Sequence, residues 1–140
     1  FQIKKIKELV KAPKTYFWDL GFKNILMNNF NNHLLRVDKG AILESFILLE
    51  LLKKNLEVKF YNYKNSSEVD FLLEYDLKKI AIEVKSNLTG MKIGRGLRVY
   101  IEKYVPDIVY IFNLNVEGEM QIGTSKIIFL HHLNIGRLFD

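Results

Sequence analysis

The stretch "SSEVDFLLEYDLKKIAIEVKS", residues 66–86, decides how the chain is read. Two runs within it, "SEVDFLLEY" and "KKIAIEVKS", are rich in β-branched and aromatic residues with period-two character and are joined by a charged turn, which predicts an antiparallel hairpin. Side chains alternate between the faces of a strand, so Val69, Phe71 and Leu73 are expected on one face, with Asp70 and Leu72 on the other. On the second strand Ile80, Ile82 and Val84 take one face, and Ala81, Glu83 and Lys85 the opposite one. Two registers are open. If Glu74 pairs with Lys79 across a four-residue loop, Asp70 faces Glu83 with Cβ atoms about 5 Å apart. If Tyr75 pairs with Ile80, Asp70 faces Lys85 and Glu83 lies one diagonal away. Both registers cluster the same three charges in the most strand-like runs of the chain, where a central strand would bury them at a cost. The plain alternative is a solvated strand face with Asp70 opposite a lysine.

Two carboxylates side by side repel each other unless a cation lies between them or one is protonated. Magnesium is the natural cation, since it favours oxygen ligands and commonly uses one or two carboxylates plus phosphate and water. A metal held there can lower the pKa of a bound water and polarise a scissile phosphate. Lys85, on the same face as Glu83, is placed to position the attacking water or to stabilise charge developing on the phosphate. The hairpin thus holds most of the parts for phosphodiester hydrolysis. Glu44 is a separate clue. Its helical neighbours Gly40, Ala41, Ile47 and Leu48 are apolar, whereas Glu50 has Lys53 and Lys54 as ordinary partners. Glu44 either lines the same site from its helix or caps or salt-bridges locally.

Working outward, the run "KGAILESFILLELLKKN" between Asp38, a good N-cap residue, and Asn55, a plausible stop, carries apolar residues on nearly every face and predicts a mostly buried central helix. "EVKFYNYK" precedes the hairpin as another strand. After it come a basic helix, "GRGLRVYIEKYV", ended by Pro106, then the strands "DIVYIFNL", "EMQIG" and "KIIFLHH", and a last turn in "LNIGRLFD". At the start, "FQIKKIKELVKAP" reads as a short amphipathic helix closed by Pro13, "KTYFWDLG" as extended, and "GFKNILMNN" as a brief helix before an Asn-rich loop. Helix, three strands, helix and strand in that order predict a mixed α/β sheet with helices packed against it. No repeat, low-complexity tract or interdomain linker is present.

The 140 residues, 49% hydrophobic, are enough for one core, and a single domain spanning 1–140 is expected. With no cysteine, disulfides, thiolate zinc sites and thiol nucleophiles are excluded, and a reducing, cytoplasmic setting is expected. A net charge of +5 suits a polyanionic partner. The longest apolar stretch, "AILESFILLELL", is interrupted by Glu44 and Glu50 and is too short to span a bilayer, so no membrane partner is expected. The chain starts at Phe1 rather than Met, as a piece of a longer polypeptide would.

Glu44 on a first core helix, Asp70 in "EVDF", and Glu83 and Lys85 in "IEVK" together resemble the PD-(D/E)xK nuclease superfamily, whose fold is restriction-endonuclease-like. More narrowly, "APKTYFWDLGFKN", "GAILESFILLELLKK", "EVDFLLE" and "IEVKS", in that order, look like the uncharacterised C-terminal domain of bacterial and archaeal ATPases of the AAA+ type, over roughly residues 11–90. The resemblance implies a mixed β-sheet flanked by helices in the core order α-β-β-β-α-β. It implies Asp70 and Glu83 as ligands of Mg²⁺ or Mn²⁺, Lys85 as the catalytic lysine, and Glu44 as an auxiliary ligand or a group behind the ligands. It also implies upstream ATPase and winged-helix modules in the same polypeptide; no G-x-x-x-x-G-K-[ST] motif occurs in this chain. The superfamily's Pro before the Asp is Val69 here, a departure that removes no ligand.

Lys92, Arg95, Arg98 and Lys103 follow the motif and suit phosphate contacts, which fix position without reading sequence; Ser86 and Asn87 could contact the same backbone. His131 and His132 end an apolar strand, where adjacent residues point to opposite faces and make a poor chelating pair, and His33 sits in a polar loop. Tyr16, Phe17 and Trp18 read as packed rather than base-stacking. Three functions follow. The first is a metal-dependent nuclease-like domain acting on DNA, with three carboxylates converging on one cation. The second is a catalytically silent DNA- or protein-binding domain that targets the attached ATPase. The third is a homo-oligomerisation domain using "KIIFL" and "IVYIF" as its interface.

Overall fold

The computed structural model describes residues 37–63 and 67–140; the readings made for 1–36, including His33 and the aromatic run at 16–18, lie outside the described residues. Helix α1 spans Lys39–Lys53 and is followed by three strands, β1 Lys59–Tyr63, β2 Ser67–Tyr75 and β3 Lys78–Val84. Helix α2, Arg95–Tyr104, then leads into β4 Ile108–Asn113, β5 Gly118–Ile122, β6 Ser125–His131 and a C-terminal 3₁₀ segment, His132–Phe139. The expected order of helix, three strands, helix and strand is present, continued by β5 and β6. The six strands form one mixed sheet in the order β1-β2-β3-β4-β6-β5. The β1–β2, β2–β3 and β5–β6 pairs are antiparallel, whereas β3–β4 and β4–β6 are parallel.

Helices cover both faces. Ile47, Leu48 and Leu51 of α1, with Ile135 and Leu138 of the 3₁₀ segment, pack on Phe71, Leu73, Ile80, Ile82, Tyr110 and Phe112. Leu97, Tyr100 and Ile101 of α2 pack on Leu72, Ala81, Val109, Ile111, Ile127 and Phe129. A sheet covered on both sides needs continuous apolar runs in its central strands, which explains why "IVYIF" carries no charged residue. The same packing removes the basis for the oligomerisation reading: Val109 to Phe112 and Ile127, Phe129 and Leu130 are buried in this chain's own core. No helix among the described residues is long and apolar enough to cross a membrane.

Helix ends follow local chemistry. Asn55 adopts φ 56° and its N–H donates to the Leu52 carbonyl, so α1 stops where a left-handed residue can close it. Asp38 takes the N-cap position but makes no side-chain capping bond. Ser45, buried in α1, donates its hydroxyl to the Ala41 carbonyl at 2.8 Å, which satisfies it without a partner from another element. Val105 closes α2 in the left-handed region at φ 46°, immediately before Pro106.

The hairpin pairs Glu74 with Lys79, the first of the two registers. Its loop is shorter than expected, because Tyr75 also pairs with Lys78 and only Asp76 and Leu77 turn the chain. Both have positive φ, 49° and 60°, as a type I′ turn requires.

Candidate functional site

The β2–β3 ladder runs from Tyr75 and Lys78 to Phe71 and Ile82. One step further would pair Asp70 with Glu83, and there the ladder opens. The Val84 N–H, which continued pairing would have directed at β2 backbone, instead donates to the Asp70 carboxylate Oδ2 at 2.7 Å. On its other side β3 stays paired with β4, and the Lys85 N–H donates to the Phe112 carbonyl at 2.9 Å. The active hydrogen-bonding of β3 therefore continues on one edge while the other edge receives a side chain.

A register shift against β1 accompanies this fork. Lys59 pairs with Leu72 but Tyr61 pairs with Val69, so Asp70 and Phe71 together oppose Phe60. Such a bulge breaks the alternation of faces. Val69 packs with Leu72 in the α2 layer while Phe71 and Leu73 pack in the α1 layer, which corrects the expectation that Val69, Phe71 and Leu73 share one face. A bulge next to a carboxylate re-aims it, and Asp70 sits at this one.

Glu44, Asp70, Glu83, Lys85 and Ser86 line one pocket of about 240 Å³, together with Gly40 and Val84. The central helix brings in Gly40 and Glu44, β2 brings Asp70, and the end of β3 with its following loop brings the others. Asp70 and Glu83 are buried, at 9% and 6% exposure, whereas the Lys85 side chain is nearly half exposed. The Lys85 ammonium lies 3.0 Å from Glu83 Oε1, so part of the acidic charge is neutralised by a group whose side chain reaches solvent. Among the described residues, no group of three His, Cys, Asp or Glu side chains is close enough to hold a metal ion. The expected convergence of three carboxylates is therefore reduced to a shared pocket, to which β2 and β3 contribute Asp70 and Glu83 and α1 contributes Glu44.

Lys92, Arg95 and Arg98 do not line this pocket; they are exposed on the loop after β3 and on α2. Lys103 is exposed near the other end of the same helix. His131 and His132 also differ from expectation. Their rings lie 4.3 Å apart, because the strand ends at His131 and the chain turns into the 3₁₀ segment.

Sequence reasoning missed Asn113, buried at the end of β4. Its Oδ1 accepts the N–H groups of Asn115 and Val116 at 2.9 and 2.6 Å, and its Nδ2 donates to the carbonyls of Val116 and Leu130 at 2.8 and 3.3 Å. The turn it shapes presents Asn115, whose Nδ2 donates to the Leu88 carbonyl at 2.6 Å and ties down the loop leaving the pocket. The only sequence signal is an Asn closing an apolar strand, a pattern shared by many turns.

Away from the pocket, Tyr61, Tyr100 and Tyr104 form an aromatic cluster between β1 and α2, with ring centroids 4.8–5.5 Å apart. Burial, then the neighbouring Tyr61 and Tyr104, pushes the Tyr100 phenol well above its ordinary pKa. Tyr104 is held below its own, first by the hydrogen bond donated from Tyr61, with Lys103 adding to it.

A family described as a domain of unknown function, DUF4143, matches residues 39–131. The chain belongs to this family. The DUF4143 match runs from the first residue of α1 to the last of β6 and so contains every residue that lines the pocket. No curated protein and no solved structure matches the chain.

Proposed function

We propose that this chain is a metal-dependent nuclease-like domain of the PD-(D/E)xK type, acting on DNA phosphodiesters and joined in its full-length polypeptide to an AAA+ ATPase. One observation carries the reading: residues scattered from 44 to 86 in the sequence line a single pocket at a forked strand pair. Asp70 and Glu83 would hold the cation. The donors are all carboxylate oxygens, which fits Mg²⁺ or Mn²⁺, and two protein carboxylates suffice where water and phosphate complete the shell. When bound, the cation supplies an acidified water and polarises the scissile phosphate.

The chain's own groups have separate tasks. The Val84 N–H holds one oxygen of the Asp70 carboxylate and so sets the orientation of that group. Lys85 can exchange its contact with Glu83 for a phosphate oxygen or the attacking water, because its stem is half in solvent. Glu44 supports the site from α1 as the group behind the two ligands. A second reading, a catalytically silent domain that binds DNA or protein for the ATPase, is favoured by the Lys85–Glu83 ion pair, which compensates the buried acid with no metal ion.

Calorimetric titration of Mn²⁺, with and without DNA, into the wild type and the Asp70→Asn and Glu83→Gln variants separates the two. Binding in the wild type that both variants lose is the expected result and justifies a search for a cleaved substrate. No binding in the wild type under either condition rejects the nuclease reading and leaves the recognition domain.

A further inference from the structure

The pocket walls carry three carboxylates and a single ammonium, and that ammonium stands on Glu83. A phosphodiester approaching such walls is repelled unless further cations meet it at the rim. One cation is placed there. Lys39 is the first residue of α1, directly before Gly40, which lines the pocket. Its Nζ donates to Asn87 Oδ1 at 2.8 Å, bridging the start of α1 to the loop that leaves β3. No carboxylate among the described residues lies within ion-pair distance of it.

Three features make this arrangement unlike a chance surface lysine. An amide oxygen orients the ammonium without neutralising it, and two of the three ammonium donors are left for a ligand. A cation in the first turn of a helix opposes the helix dipole, at about 0.3–1 kcal/mol, and no acidic residue in that turn compensates; the positive charge of Lys39 is therefore unfavourable for α1 itself. Its partner Asn87 follows Ser86, whose hydroxyl lies 3.7 Å from the place a side chain at Gly40 would begin. The start of α1 and the Ser86 hydroxyl thus stand within contact distance of each other beside the pocket that both Gly40 and Ser86 line.

We propose that Lys39, oriented by Asn87 and flanked by Ser86, forms a phosphate subsite at the pocket mouth that takes a nucleic-acid backbone phosphate next to the one handled by Asp70 and Glu83. The choice of a nucleic acid as ligand rests on the function proposed above; the subsite itself stands on Lys39, Asn87 and the pocket. Because it contacts backbone only, it positions the strand and contributes nothing to sequence preference. Lys39 is a positioning residue rather than a catalytic one.

The test is binding of a fluorescein-labelled DNA duplex, read by anisotropy in EDTA over a series of KCl concentrations, with Asp70→Asn as the parent so that no cleavage intervenes. Lys39→Met should weaken binding several-fold and flatten the slope of log K against log salt by about 0.9, the value for one lost phosphate contact. Asn87→Ala, which keeps the charge but frees it, should weaken binding about two- to five-fold and leave the slope nearly unchanged. Lys126→Met, on an exposed lysine paired with Glu119 at the opposite end of β6, should alter neither. An unchanged slope for Lys39→Met in a parent that binds DNA overturns the subsite alone. A parent that binds no DNA at low salt overturns the subsite too, while the Mn²⁺ titration decides independently whether Asp70 and Glu83 form a metal site.

Discussion

In the absence of a cation, Asp70→Asn should make the domain more stable and Asp70→Ala should make it less stable. The carboxylate has two relations of opposite sign. As an acceptor it satisfies the Val84 N–H at 2.7 Å in a part-buried position, and removing that acceptor costs about 1–3 kcal/mol. As a charge it stands one ladder step beyond the last paired residues and shares the pocket with Glu83. Two carboxylates about 5 Å apart at an effective dielectric constant of about 20 repel by about 3 kcal/mol. The Lys85 ammonium, 3.0 Å from Glu83, offsets part of this and leaves about 1–2 kcal/mol. Asparagine keeps an acceptor oxygen and drops the charge, although its neutral oxygen makes a hydrogen bond weaker by about 0.5 kcal/mol. The net expectation is a gain of about 1 kcal/mol for Asp70→Asn and a loss of about 1–2 kcal/mol for Asp70→Ala. Urea unfolding at neutral pH in EDTA measures both. Excess Mn²⁺ should then reverse the order of wild type and Asp70→Asn, since a ligand at 100 times its Kd stabilises the native state by about 2.7 kcal/mol. Equal stabilities for Asn and Ala, or an Asn variant weaker than wild type in EDTA, would refute the account of Asp70 as a repelled but hydrogen-bonded acid.

Lys85→Met removes a counter-ion of the buried Glu83 carboxylate and should cost about 1–2 kcal/mol, less than for a fully buried pair because the lysine is half exposed; added Mn²⁺ should restore that stability, and a variant as stable as wild type in EDTA speaks against the ion pair. Leu77→Gly relieves a left-handed Leu in the hairpin turn that is fully exposed and packs on nothing, so thermal unfolding should shift upward by about 3 °C, near 1 kcal/mol; a lower midpoint contradicts the turn assignment. Tyr100→Phe removes a buried hydroxyl with no hydrogen-bond partner among the described residues and should gain about 1 kcal/mol at neutral pH. The native Tyr100 phenol keeps its proton beyond its ordinary pKa while the unfolded chain loses it near pH ~10. Its contribution is therefore full below about pH 10 and is lost as pH rises above it. Unfolding midpoints measured from pH 8 to 11 should fall less steeply for Tyr100→Phe than for wild type, and parallel curves remove Tyr100 as the cause.

The element order, the buried central helix and the stop at Asn55 were legible because each depends on local pattern and on residues that tolerate particular backbone angles. The hairpin was legible down to two registers, and the alternatives differed in a turn of a few residues that hydrophobic pattern cannot resolve. The bulge at Asp70–Phe71 was not legible. It depends on β1 pairing with a one-residue shift, and nothing within β2 announces it.

Among the described residues, the sequence by itself determined which segments are helix and which are strand, and it singled out Glu44, Asp70, Glu83 and Lys85 as charges set in apolar runs. Tertiary structure alone decided that they line one pocket, that Val84 turns its amide to Asp70, and that Lys39 meets Asn87. The physical reason is range. Periodicity and end signals act over a few residues, whereas the pocket joins Glu44 of α1 to a strand fork at Asp70 and Val84, far along the chain, a separation closed only when the sheet and its covering helix bury their shared apolar surface.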